Sequence, residues 1–332
     1  MIHHEKSLPI ANCGLPNIEW SIMKILIGYD GSTFADAAID DLQRAGLPAD
    51  TQALILSVAD VWPGMPPMYR DALSPGSAEL SFAVVDAARQ MAQAAQEEAA
   101  AMVEKARGRV AALFPGWSIE CETVADSPAS ALTERAEQWK ADLIAIGSHG
   151  RGAMARLFFG SISQKVLRYA HCSVRVGRHL EKRREGPLRI MLGLDTSEGA
   201  AAALDAIAAR AWPAETIAHI VTAVDIRLAT AIPVLESPGG VPGYVSTDES
   251  GWLRNAQNTA AETLRRAGVV VTTALRDGDP KHVLLAEAEE WRADCVFLGA
   301  KGISRIERFL LGSVSSSIAA RAHCSVEVIR FE

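Results

Sequence analysis

Short apolar runs bounded by turn residues alternate with amphipathic stretches along most of this chain. In the first half, Lys24-Ile-Leu-Ile-Gly-Tyr-Asp30, Leu54 to Val58, Leu143 to Ile146 and Val174 to Val176 have this character. In the second half, Arg189-Ile-Met-Leu-Gly-Leu-Asp195, Ile220 to Val224, Cys295 to Leu298 and Val326 to Val328 match them. Runs this short and this apolar on both faces predict strands buried from two sides, the condition of a parallel sheet sandwiched by helices. The intervening stretches predict helices, among them a long Ala-rich one from roughly Phe82 to Leu113 and a shorter one near Gly251 to Ala267. Each half therefore reads strand, helix, strand, long loop, helix, strand, helix, strand, glycine loop, helix, strand.

The two halves are copies. Lys24 to Ser32 aligns with Arg189 to Ser197 at an offset of 165 residues, and from Pro128 and Pro280 onward the offset is 152. It stays there through Trp139 and Trp291, Gly147 and Gly299, Gly160 and Gly312, and the repeated His-Cys-Ser-Val at His171 and His323. A repeat of this length predicts tandem domains. The boundaries follow: a loose leader over 1–22, a first domain over 23–177, a charged linker over 178–187 and a second domain over 188–332. The fold class is α/β, two doubly wound, Rossmann-like domains each with a five-stranded parallel sheet.

Composition narrows the partners. At 332 residues with 49% hydrophobic and 22% charged residues, the chain has enough material for two cores. No stretch approaches the about 20 uninterrupted apolar residues of a membrane span. A formal charge of −7 offers no broad basic surface for a nucleic-acid backbone. Five cysteines, odd in number and without C-x-x-C spacing, argue against a disulfide framework or a zinc site and fit a reducing cytoplasm. The leader lacks the apolar segment of a secretory signal.

The candidate chemistry lies in the glycine loops. Gly147-Ser-His-Gly150, nine residues, Gly160-Ser161 recurs as Gly299-Ala-Lys-Gly302, nine residues, Gly312-Ser313. Glycine lets a phosphate approach the backbone and reaches positive φ values that aim successive amides at one anion. Gly160-Ser161 and Gly312-Ser313 open helices, whose unpaired amides and dipole favour negative charge. The alternative is that these glycines only make turns and the serines only cap helices; duplication would copy structural glycines too. Strands one and four end at Asp30 or Asp195 and at a glycine loop, so a switch point between them would form one crevice per copy.

The G-x2-G-x9-G-S spacing after the fourth strand, with an aspartate ending the first, resembles the universal stress protein family over Met23 to Glu332. Members with this pattern bind ATP, so the resemblance implies one ATP site per domain, with magnesium as an optional companion, in an adenine nucleotide alpha hydrolase-like fold. It implies that Asp30, Gly31 and Ser32, and Asp195, Thr196 and Ser197, face the adenosine, and that Val58 and Val224 contact adenine. It further implies that Gly147, Gly150, Gly299 and Gly302 pass under the ribose and phosphates, while Gly160, Ser161, Gly312 and Ser313 hold the terminal phosphates. His149 and Arg151 become Lys301 and Ile303 in the second copy, so unequal sites are expected. The family also implies that Val174 to Val176 and Val326 to Val328 pair, making the chain a pseudo-dimer of itself; a homodimer and further protein partners stay open.

Competing chemistry lacks its parts. There is no G-x-x-x-x-G-K-[ST] loop, no G-x-G-x-x-G fingerprint and no S-G-G-x-D-S loop of the ATP pyrophosphatases. No catalytic residue and no metal ligand set is assigned. The expected function is an ATP-binding stress regulator with little or no hydrolysis. The alternatives are a tandem interaction protein with vestigial sites and a slow ATP hydrolase using Asp30 or His149. His171 and His323 follow the fourth helix of each copy and are expected to cap its C-terminus. Phe158, Phe159, Leu310 and Leu311 are expected to anchor the loops.

Overall fold

A computed structural model describes residues 22–59, 78–150, 159–178, 186–224, 247–302 and 311–331. The leader expected over 1–22 falls almost wholly outside them, as do Cys13, Arg151, Phe158, Ile303, Leu310 and most of the linker. The first half comprises β1 (Lys24–Gly28), α1 (Thr33–Asp41), β2 (Gln52–Ala59), α2 (Ala78–Leu113), β3 (Ser118–Ala125), α3 (Pro128–Trp139), β4 (Leu143–Gly147), α4 (Ser161–Tyr169) and β5 (Ser173–Gly177). The second comprises β6 (Arg189–Gly193), α5 (Glu198–Ala208), β7 (Ile217–Val224), α6 (Thr247–Arg266), β8 (Val270–Asp277), α7 (Pro280–Glu290), β9 (Cys295–Gly299), α8 (Ser313–Arg321) and β10 (Ser325–Ile329). The long Ala-rich helix begins at Ala78 rather than Phe82.

Local chemistry sets the helix starts in parallel fashion. Ser32 Oγ accepts from the Ala35 amide and Ser197 Oγ from the Ala200 amide, each at 3.1 Å, so α1 and α5 are capped alike. Both α3 and α7 open on a proline, whose missing N–H is no loss in a first turn.

The strands form one ten-stranded sheet in the order β3-β2-β1-β4-β5-β10-β9-β6-β7-β8. Within each half every pairing is parallel, and β1 and β6 lie between their second and fourth strands. That is the expected switch point. The halves join where β5 pairs antiparallel with β10, Val174 opposite Val328, Arg175 opposite Glu327 and Val176 opposite Val326. The two five-stranded sheets are thus one continuous sheet with a pseudo-two-fold axis at its centre.

One face carries a core that crosses the seam: Leu26, Ile144, Val174 and Val176 belong to the same cluster as Met191, Leu298, Val326 and Val328. The other face holds two separate cores, around Ile27, Ile39 and Val103 in the first half and around Leu192, Ile207 and Phe297 in the second. Side chains alternate along a strand, so the seam valines point to the shared core while Arg175 and Glu327 point to the opposite face.

The ends of α4 and α8 correct the expectation for the histidines. Arg330 donates to the carbonyl oxygens of Leu167 and Arg168, and Arg178 donates to those of Ala319 and Cys324. Each helix C-terminus is thus served by an arginine from the other half. His171 instead lies 3.7 Å from Glu137, and burial lowers the His323 pKa, which disfavours the cation that a cap would need.

Candidate functional site

The six loop glycines divide by what surrounds them, and none of them takes a positive φ. The conformational reason expected from sequence is therefore wrong; the reason is space. A Cβ on Gly147 would lie 2.8 Å from the backbone carbonyl of Phe34, and one on Gly299 would lie 2.3 Å from the carbonyl carbon of Gly199. These two glycines let the first turns of α1 and α5 rest on the ends of β4 and β9. Gly160 and Gly312 are also committed to backbone. Their amides donate to the carbonyl oxygens of Ser148 at 2.9 Å and Ala300 at 2.7 Å, closing each loop onto its own start.

Gly150 and Gly302 differ. Among the described residues, a Cβ on Gly150 would meet only Asp30 Oδ2, at 3.1 Å, and one on Gly302 only Asp195 Oδ2, at 2.8 Å. In both halves the glycine lies against the aspartate at the carboxyl ends of β1 and β4, or β6 and β9, where the switch point places the crevice. The other carboxylate oxygen is held by the turn: Oδ1 of Asp30 accepts from the Ser32 amide at 3.0 Å, and Oδ1 of Asp195 from the Ser197 amide at 2.9 Å. Ser197 Oγ also donates to Asp195 Oδ1. Gly31 takes φ +77°, a conformation its counterpart Thr196 does not share.

The helices opening into these crevices are α4 and α8. Gly160 and Gly312 occupy their N-cap positions without a side-chain cap. A helix leaves its first amides without intrahelical acceptors, so residues 161–163 and 313–315 present N–H groups at the positive end of the helix dipole. Ser161 and Ser313 are exposed there. Two serines that sequence reasoning passed over fix the position: Ser163 Oγ donates to the Gly147 carbonyl at 2.7 Å and Ser315 Oγ to the Gly299 carbonyl at 2.6 Å. The signal was present as Gly-Ser-x-Ser in both copies.

Most of the expected site residues thus converge: Asp30, Gly31, Ser32, Gly147, His149, Gly150, Gly160 and Ser161 in one crevice, and Asp195, Thr196, Ser197, Gly299, Lys301, Gly302, Gly312 and Ser313 in the other. Arg151 is outside the described residues. Val58 and Val224 need correction as a pair. The register of β1 with β2 and of β6 with β7 makes Ala223 the counterpart of Val58, and Val224 that of Ala59. A shift of one residue reverses the face, so the two valines cannot do the same job. Val58 packs partly against the shared core.

The crevices also differ where the sequence showed no signal. Phe34 stands in the first half with its ring centroid 4.8 Å from that of His149, the planes tilted by 42°. Its counterpart is Gly199, where any Cβ would lie 2.4 Å from the Lys301 carbonyl oxygen. The first crevice is walled by an aromatic pair, the second by bare backbone and Lys301.

Among the described residues there is no group of three or more His, Cys, Asp or Glu side chains placed to hold a metal ion, and no helix long and apolar enough to cross a membrane. Cys121, Cys172, Cys295 and Cys324 are free thiols.

The chain is 26% identical over 323 residues to a universal stress protein of Mycolicibacterium smegmatis, covering 92% of this chain and 96% of the relative. It is 25% identical over 316 residues to one of Mycobacterium tuberculosis, with the same coverage. The crystal structure of a universal stress protein from Archaeoglobus fulgidus superposes with a TM-score of 0.55 at 19% identity, covering 92% of this chain and 98% of that one, a likeness of fold. The model of the universal stress protein family matches residues 21–178 and again 188–330. The chain belongs to the universal stress protein family, as a tandem member with two copies of the domain.

Proposed function

We propose that each half binds one ATP and that the protein is a nucleotide-dependent stress regulator that turns ATP over slowly or not at all. The observation that carries this reading is the Gly150 and Asp30 pair, repeated as Gly302 and Asp195: among the described residues, a glycine whose Cβ would meet a carboxylate and no backbone, beside a helix start with unpaired amides. Structural glycines would be packed against backbone, as Gly147 and Gly299 are. These two are not, and their counterparts in family members with this loop pattern line an ATP site.

The residues fit the ligand by chemistry. The amides of 161–163 and 313–315 suit phosphate oxygens, and the Asp30 and Asp195 carboxylates suit the ribose hydroxyls as acceptors. Since the described residues offer no carboxylate cluster, magnesium would arrive with the nucleotide's own phosphates as its main ligands. Transfer machinery of the P-loop type, with its phosphate-neutralising lysine, is missing from the sequence, which supports binding without rapid turnover. The Phe34–His149 wall against Gly199 and Lys301 supports unequal affinities. A soluble, cytoplasmic protein is the setting this function requires.

The test is the nucleotide content of freshly purified protein. At a micromolar dissociation constant binding is worth about 8 kcal/mol, enough for nucleotide to survive rapid purification. Chromatography of the supernatant after denaturation is expected to show adenine nucleotide. A trace below one part in about a hundred, with no heat on adding ATP, rejects the reading in favour of vestigial sites.

A further inference from the structure

The seam between the halves joins two unlike edges. Arg175 and Glu327 are 152 residues apart, the repeat offset itself, so they are the same position in the two copies. The antiparallel register sets them directly opposite each other on the pseudo-two-fold axis. A residue on such an axis meets its own counterpart, and two identical copies would set like against like. Here a guanidinium meets a carboxylate. Arg175 Nη1 donates to Glu327 Oε2 at 2.8 Å, with the two residues 1% and 0% exposed.

Each charge is also held within its own half. Arg175 Nε donates to Asp41 Oδ2 at 2.6 Å, and Arg210 donates to both Glu327 oxygens. The repeat counterparts of Asp41 and Arg210 are Ala206 and Ala45, so the asymmetry extends to the flanking positions, and Arg210 Nη1 donates to the Ala45 carbonyl across the seam at 2.9 Å. What each edge gains only from the other is the partner on the axis: an acceptor for Arg175 Nη1, and for Glu327 Oε2 a second donor beside Arg210 Nη1. Pairing two first-half edges would set Arg175 against Arg175, and pairing two second-half edges Glu327 against Glu327. Either would bury like charges in contact with unmatched donors or acceptors, which the sheet interior penalises heavily.

We propose that the seam is a partner-selecting interface: the β5 edge accepts only a fifth strand with a carboxylate at its centre, the β10 edge only one with a guanidinium there. The chain therefore closes on its own other half and does not pair with a second copy through like edges. The flanking valines supply adhesion that would serve any copy; the central pair supplies the choice.

The test removes the covalent link without disturbing the seam. A protease site is placed in the full chain between Glu181 and Glu185, the folded protein is cut to completion, and native mass spectrometry weighs the assemblies. The halves differ in mass, so like and unlike pairs resolve. Isotope-labelled cut protein is mixed in, with mild urea bringing the exchange of halves to completion. Like pairs are expected to fall about tenfold or more below their statistical share, so that nearly all paired halves are unlike. A statistical mixture, a preference for like pairs, or halves that separate at micromolar concentration overturns the proposal. Glu327→Gln keeps the shape and removes the second-half charge. It is expected to raise second-half like pairs by about tenfold, with the displaced first halves weighed as unpaired halves, while first-half like pairs, where Arg175 still meets Arg175, stay at the wild-type level. A distribution unchanged from wild type overturns the proposal equally.

Discussion

Ser163 donates its hydroxyl hydrogen to the carbonyl oxygen of Gly147 at 2.7 Å, tying the first turn of α4 to the last residue of β4, and Ser315 repeats the bond to Gly299. Ser163 is buried, so its bond is sheltered from water. The helix start that offers free amides is thereby fixed relative to the strand end that forms the crevice floor. Ser163→Ala is expected to cost about 1 kcal/mol of stability, one neutral hydrogen bond, and to weaken nucleotide binding in the first half only. Urea denaturation and calorimetry read the two effects separately.

Glycine substitutions should divide by packing. Gly147→Ala and Gly299→Ala drive a Cβ into backbone of the first helix turn of their own half, which cannot yield as a side chain does. A loss of about 1 to 3 kcal/mol or more is expected from overpacking, with Gly299→Ala the worse because its contacts are closer. Among the described residues Gly150→Ala and Gly302→Ala meet only a carboxylate oxygen, and they are expected to change stability by less than about 0.5 kcal/mol. Equal losses at all four positions would erase the distinction between structural and ligand-facing glycines.

The crossed caps tie folding of each half to the other. Arg330 donates to the carbonyls of Leu167 and Arg168 at 2.7 and 3.2 Å, so Arg330→Ala should cost about 1.5 to 3 kcal/mol, the range for a hydrogen bond from a charged donor. The loss is expected to appear as fraying of α4, in the first half, although the substitution lies in the second. Hydrogen exchange of the α4 amides reads this. Protection lost only around β10 would contradict the crossed arrangement.

Acid should weaken the chain through Glu327 and Glu287. Burial alone would raise the Glu327 carboxyl, but Arg210 and Arg175 outweigh it and hold its pKa below the ordinary value. At Glu287, burial is likewise outweighed by the bonds from Arg276 and His219. A carboxyl with a depressed folded pKa contributes stability that is complete above its unfolded value, about 4.3, and is lost as pH falls through the folded value. The urea midpoint should therefore not be lowered by these groups between about pH 7 and 5 and should fall below about pH 4. Glu327→Gln should flatten part of that fall. A midpoint that rises on acidification would contradict both shifts.

Much of this was legible in the sequence, and what was not has physical reasons. Strand order around the switch point, the helix starts at Ser161 and Ser313 and the pairing of the last strands follow from apolar runs, the glycine-serine signal and the family resemblance. The loop glycines take no positive φ; Gly147 and Gly299 instead admit neighbouring backbone, and neighbours are invisible along a chain. Val224 was matched to Val58 by residue type, whereas the register, set by pairing with β6, makes Ala223 the counterpart. The helix caps were assigned to the adjacent His171 and His323. The true caps, Arg330 and Arg178, reach across a seam that must be built before they can be seen. Arg175 and Glu327 were hidden inside strands read as wholly apolar.

Titration of nucleotide-free protein with ATP by calorimetry, for wild type, Gly150→Val, Gly302→Val and the double variant, tests the central claim most directly. A β-branched side chain at either position puts bulk beside the aspartate, where among the described residues a Cβ meets the carboxylate and no backbone. Two sites of unequal affinity are expected in wild type, one in each single variant and none in the double variant, all four with the same circular dichroism spectrum. No heat from wild type, or two intact sites in the double variant, would contradict nucleotide binding in these crevices.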